Sequence, residues 1–228
     1  GYVVKNTATQ LVNQVSKTTN QVSNPLKPIN PVKDVVVKVN GASANGKSVY
    51  KDSTFLYRLD SSVIPANRAY QTVRNWSISD QLDPAYDKLT GQWAVYAARD
   101  LYQDGKVIAK KGDRIAGSDF DSSKLGGDLF DATLDPATGA TEIRATDLYL
   151  QLVSADEAHE QAWTAYLQCT RVKTTDRHEN VFTEHYNGHY TQSNIVWTRT
   201  PDLTPSLKIE KWDEKSGFPK GDRDDIKD

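Results

Sequence analysis

Apolar side chains in this chain recur at every second position, the spacing of strands, over most of its length. From Lys33 onward, Val35, Val37 and Val39 alternate with Asp34, Val36 and Lys38, and Asn40-Gly41 and Asn45-Gly46 give turn signals. Phe55, Tyr57 and Leu59 share one face of the next run, and Trp76 and Ile78 one face of the run after it. The stretch from Gln92 to Tyr102 is aromatic and apolar, and Asp104-Gly105 predicts a hairpin before Lys106–Ala109. Asp135–Gly139 reads as another turn, with a strand from Thr141 to Ala145. Trp163, Ala165, Leu167 and Cys169 fall on one side of a strand over 163–172, and residues 193–199 form the last strand. Helix formers preceded by acidic residues predict one helical segment, over 147–153 and 156–161. Many short strands separated by turns predict an all-β sandwich with short helical insertions.

Residues 1–32 read differently. The run from Val15 to Pro31 is rich in Thr, Asn, Ser and Lys and holds Pro25, Pro28 and Pro31, which predicts an extended, polyproline-like tether. The alternation between Tyr2 and Val15 also allows the last strand of a preceding domain. The expected organisation is a linker or domain tail over 1–32, a sandwich over 33–201 and a further linker over 202–228.

Composition narrows the function. The 228 residues suffice for one large or two small domains, and 37% hydrophobic content supports a core. A formal net charge of -2 argues against a nucleic-acid surface. No apolar stretch approaches the roughly 18 residues of a membrane span. A single Cys excludes a disulfide framework, and the absence of Met suggests a piece of a longer chain.

Candidate chemistry is sparse. His178, His185 and His189 lie close in sequence, but their surroundings read as strand and turn, so exposed polar histidines are favoured over a metal site. Cys169 shares an apolar face with Trp163 and Leu167 and reads as a buried, inert thiol. Asp80, Asp83 and Asp87 put three carboxylates in one short stretch. A weak calcium loop is one reading and a solvated acidic loop the favoured one, because the spacing is not that of an EF-hand. Asp80 stands apart, ending the run that carries Trp76 and Ile78, with the interior within its reach. No Gly-x-Ser-x-Gly, phosphate-binding glycine loop or His-Glu-x-x-His occurs.

Several stretches resemble one family in consistent order: Pro31–Val37, Ser62–Arg68, Trp76–Asp83, Tyr86–Gly91, Asp104–Ile108 and Ser193–Pro201. Together they are similar to the C-terminal repeat domains of streptococcal antigen I/II adhesins and enterococcal aggregation substances. The resemblance implies a variant immunoglobulin-like sandwich of the DEv-IgG type, in a stalk on the surface of a Gram-positive cell, anchored to the wall through a C-terminal region missing here. It also implies a spontaneous isopeptide bond between a first-strand Lys and a last-strand Asn, promoted by an acid. Carried over, these are Lys33, Asn194 and Asp80. Lys38 is a rival on the same run, Asn194 also reads as a turn or edge residue, and Asp80 as part of the acidic loop. Residues 206–217 resemble the opening strand of a collagen-adhesin B-type domain, with Lys211 as its crosslinking Lys.

The first functional expectation is therefore a structural and adhesive module, without turnover chemistry and without a required cofactor. Its expected partners are host glycoproteins or components of a partner cell, and neighbouring domains of the same protein, with neither nucleic acid nor membrane among them. The second is a glycan- or protein-binding sandwich with no crosslink, in which Tyr86, Tyr96 or Tyr102 lines a shallow groove. A calcium-dependent hydrolase lacks any visible set of acid, base and nucleophile.

Overall fold

The computed structural model describes residues 3–25, 30–68, 72–118 and 126–203. The B-type segment expected over 206–217, Lys211 included, lies outside the described residues.

The N-terminal stretch is a two-stranded ribbon, where the sequence pattern predicts an extended tether. β1 (Val3–Asn6) pairs with β4 (Val22–Pro25), and β2 (Thr9–Val12) with β3 (Val15–Thr18) inside it. Asn13 and Gln14 both take positive φ, 47° and 64°, the backbone of a type I′ hairpin turn that matches strand twist. The side chains of β2 and β3 are exposed on both faces.

The sandwich begins at β5 (Val32–Val36) and continues through β6 (Thr54–Asp60), β7 (Trp76–Gln81) and β8 (Asp87–Ala97). A hairpin of β9 (Leu101–Gln103) and β10 (Lys106–Ala109) follows, turning at Asp104 and Gly105 as expected. Then come β11 (Arg114–Gly117), β12 (Gly126–Asp128), β13 (Phe130–Leu134) and β14 (Ala140–Ala145). After α1 (Asp147–Ala155) the chain adds β15 (Trp163–Arg171), β16 (Thr175–Asn180), β17 (Phe182–Tyr186), β18 (His189–Gln192) and β19 (Val196–Thr200). One sheet runs β12-β11-β8-β15-β6-β5 and the other β13-β14-β7-β17-β18, with β16 and β19 as a separate pair. Every named strand pairing is antiparallel.

Period-2 alternation sets what faces the core. Phe55, Tyr57 and Leu59 point inward from β6, Trp76, Ile78 and Asp80 from β7, and Trp163, Ala165, Leu167 and Cys169 from β15. Trp76 and Trp163 meet edge to face across the layer, with ring centroids 5.9 Å apart.

Two local expectations change. β5 stops at Val36 where the chain bends, so Val37 is 71% exposed and outside the core. The helix stops at Ala155, so residues 156–161 are not helical. Asp156 turns its carboxylate onto the Ala158 N–H at 3.2 Å, a local bond that competes with a helical turn. Arg68 then donates to the carbonyls of Val153, Asp156 and His159 at the helix end.

Candidate functional site

Lys33 sits on the inward phase of β5, beside Val35, and is 1% exposed. Asp80 sits on the inward phase of β7 in the opposite sheet. Their side chains meet across the sandwich as a buried ion pair and hydrogen bond, Nζ to Oδ2, with neither side chain exposed. The rival Lys38 is exposed. The rings around the amine belong to Tyr57, 4.4 Å from Nζ, and Phe182, 5.8 Å away. Trp76 and Trp163 are in the core, while Trp93 and Trp197 are only half-buried.

Burial acts on both partners in the same sense. Loss of water lowers the Lys33 ammonium pKa more than the Asp80 charge and hydrogen bond raise it. Burial pushes the Asp80 carboxyl up, and Lys33 and the nearby Asn180 amide pull it back only in part. Both shifts favour a neutral amine beside a protonated acid.

Two amides flank this pair. Asn194 does not turn its amide to the Lys33 amine. Its Oδ1 accepts from the Lys33 backbone N–H at 2.8 Å and its Nδ2 donates to the Lys33 carbonyl at 3.0 Å. It clamps the backbone of edge strand β5 in the manner of a paired residue. Asn180, at the end of β16, is the amide close enough to Asp80 to draw its carboxyl pKa down. It is 8% exposed, and its Oδ1 accepts from the Val181 N–H at 2.6 Å. Asn180 Nδ2 and Asp80 Oδ1 are both buried without a formed hydrogen bond. Asn180 carries no motif that marks it in the sequence, yet it continues the inward period of Phe182, Glu184 and Tyr186.

A second buried ionic layer lies beside the first. Arg171 continues the inward period of β15 and donates Nε to Asp87 Oδ1 at 2.6 Å. Its terminal nitrogens reach the hydroxyls of Thr200 at 2.7 Å and Thr198 at 2.8 Å, both on β19. Tyr57 donates its hydroxyl to Asp87 Oδ2 at 2.6 Å, and His178 Nε2 lies 3.0 Å from the same oxygen. Burial would raise the Asp87 pKa, but His178, Arg171 and Tyr57 outweigh it and hold the carboxyl below its usual range.

Other expected candidates separate. Asp80, Asp83 and Asp87 do not converge: Asp80 faces Lys33, Asp87 faces Arg171, and Asp83 accepts from the Ala85 N–H on the surface. Among the described residues no three His, Cys, Asp or Glu side chains gather as a metal site. His178 and His185 are both half-buried, stacking on Tyr86 and Tyr190, a departure from the exposed histidines expected, whereas His189 is exposed. Cys169 is fully buried, and burial pushes its thiol well above the ordinary range. No described helix is long and apolar enough to cross a membrane.

Comparison with known proteins identifies the family and the fold. Residues 30–201 match the family described as "Cell surface antigen C-terminus". An aggregation substance of Enterococcus faecalis is 35% identical over 196 residues, covering 85% of this chain and 14% of that protein. The chain thus spans about a seventh of that relative. The C-terminal domain of the Streptococcus pyogenes antigen I/II-family protein AspA superposes with a TM-score of 0.73 at 26% identity, covering 87% of this chain and 55% of that one. The C-terminal domain of the Streptococcus agalactiae AgI/II polypeptide BspA shares the fold, with a TM-score of 0.72 at 24% identity over 87% of this chain and 59% of that one.

Proposed function

The chain belongs to the cell surface antigen C-terminal family, and from that premise we propose that it is a load-bearing adhesin domain closed by a Lys33–Asn180 isopeptide bond. The supporting observation is the buried Lys33–Asp80 contact with the unspent Asn180 amide beside it. The acceptor in this reading is Asn180 rather than Asn194, whose amide is held by the Lys33 backbone.

The step balances within the site. A proton passes from Lys33 to Asp80, leaving a neutral amine. The Nζ lone pair attacks Cγ of Asn180, while protonated Asp80 polarises the amide oxygen. Asp80 then carries a proton to Nδ2, the Cγ–Nδ2 bond breaks and ammonia leaves. Reaction removes two unfavourable features, a desolvated amine and a buried N–H group without a partner. The bond ties β5, in one sheet, to the end of β16. Force passing between Lys33 and Asn180 then loads a covalent link in place of a hydrogen-bond ladder. Anchorage of the parent protein to the cell wall, and adhesion to host glycoproteins or a partner cell, belong to the same reading.

Intact mass tests it. The wild-type chain is expected to be short by one ammonia, with Lys33→Ala, Asp80→Asn and Asn180→Ala at their full calculated masses. A full wild-type mass overturns the crosslink. A full mass for Asn194→Ala together with ammonia loss in Asn180→Ala moves the acceptor back to Asn194.

A further inference from the structure

β16 belongs to neither large sheet and pairs only with β19 among the named strands. Its ladder to β19 is irregular, with a register shift between Thr175 and His178. Its outward side chains do not tie it to the sheets. Arg177 pairs with Glu179 at 2.6 Å and lies over the Trp197 ring of β19, 4.6 Å from the centroid. At the C-terminal end of β16, His178 and Asn180 turn inward while Arg177 and Glu179 stay exposed. Two residues further on, Phe182 is fully buried at the start of β17. Asn180 is therefore held between two inward side chains, Phe182 on one side and His178 on the other.

His178 meets a fixed partner. Its Nε2 lies 3.0 Å from Asp87 Oδ2, and its ring stacks on Tyr86 with centroids 4.7 Å apart. Arg171 and Tyr57 immobilise that carboxylate. A carboxylate only accepts, so the nitrogen facing it carries a proton whether the imidazole is neutral or charged. Asp80 and Asp87 lie in different sheets, on β7 and β8, and one strand thus presents a side chain to each of the two buried acids. A slip of one residue would turn both side chains outward. Displacing a reacting group by as little as about 1 Å can cost about 10²-fold in rate. We propose that His178 is a positioning residue for the crosslink, its bond to Asp87 setting the phase of β16 and so placing the Asn180 amide beside Lys33 and Asp80. This inference rests on the Lys33–Asn180 reading and adds a control to it, since the Asp87 layer must assemble before the bond closes.

The test follows ammonia loss in time, on the whole chain made by cell-free synthesis, quenched in acid at intervals and weighed intact. His178→Phe keeps a ring against Tyr86 and removes the donor, whereas His178→Gln restores a donor at the place of Nε2. The expected result is loss slowed by roughly tenfold or more in His178→Phe and returned to within about threefold of wild type in His178→Gln. The second readout uses the Lys33→Ala chain, which has no amine to react. There the NMR signal of the Asn180 side-chain amide is expected to move on adding His178→Phe and to stay in place on adding His178→Gln. An unchanged rate in His178→Phe, equal slowing in both variants, or an Asn180 signal indifferent to His178→Phe overturns the proposal. A His178→Phe chain that does not fold overturns it as well, because the residue then serves the fold and not the reaction. A wild-type chain that keeps its full mass overturns the crosslink reading instead, and the Asn180 signal alone then decides whether His178 places the amide.

Discussion

The sandwich holds two buried acid–base pairs side by side, and they are built to opposite ends. Around Asp87 both carboxylate oxygens have donors, from Arg171, Tyr57 and His178, and the carboxyl is held in its charged form. Around Asp80 one oxygen and the neighbouring Asn180 nitrogen lack formed bonds, and burial drives both Lys33 and Asp80 toward neutrality. A satisfied ionic layer is mechanically useful but chemically inert. An under-satisfied one stores the desolvation cost that a condensation can relieve.

Substitutions can break this contrast. The largest expected effect is Asn180→Ala, which removes the proposed crosslink and, by analogy with a disulfide closing a loop of this size, costs about 4–5 kcal/mol in urea denaturation. Next is Arg171→Met, which leaves Asp87 buried without its cation and costs about 3–5 kcal/mol. Its mass is nevertheless expected to be short by one ammonia, because Arg171 does not touch the Lys33 amine. Asp80→Asn is expected to show the reverse, a full mass with the fold retained by circular dichroism.

pH sharpens the comparison further. Because the native Asp87 pKa lies below its reference value of 3.8, its contribution is complete above that value and is lost as pH falls through the native one. The stability gap between the Asn180→Ala chain and its Asp87→Asn derivative should therefore be constant near neutrality and shrink below about pH 4. The smallest effect belongs to Asn194→Ala, which frees one N–H and one C=O at the β5 edge. It should cost about 1–2 kcal/mol and leave the ammonia loss in place, read by melting temperature and mass together.

How much of this was legible in sequence depends on the residue. Period-2 alternation carried the strands and their inward faces, and the resemblance carried Lys33 and Asp80 as site candidates. The same alternation extends one step beyond the apolar residues of each strand. Arg171 lies two residues beyond Cys169, Asp87 two before Leu89, and Asn180 two before Phe182, all buried in phase. Polar residues at those positions look like strand ends or loops, because only long-range pairing across the sandwich reveals what satisfies them. The ribbon over 3–25 was hidden for another reason. Its turn rests on positive φ at Asn13 and Gln14, without the glycine that usually announces it.

The position of Asn180 also sets a length scale. With the proposed tie from Lys33 to Asn180, every strand from β6 to β15 lies inside a closed covalent loop, whereas β17, β18 and β19 follow it. β19 is paired only with β16 among the named strands, and is held besides by a bridge from Ser48 and the Arg171 contacts to Thr198 and Thr200. A tug that exceeds those bonds frees β19 first, while β17 stays paired between β7 and β18; even if β17 and β18 follow, residues 181–203 extend by no more than about 80 Å before the tie stops them. The domain would then behave as a rigid spacer carrying a short, recoverable length of slack at its C-terminal end.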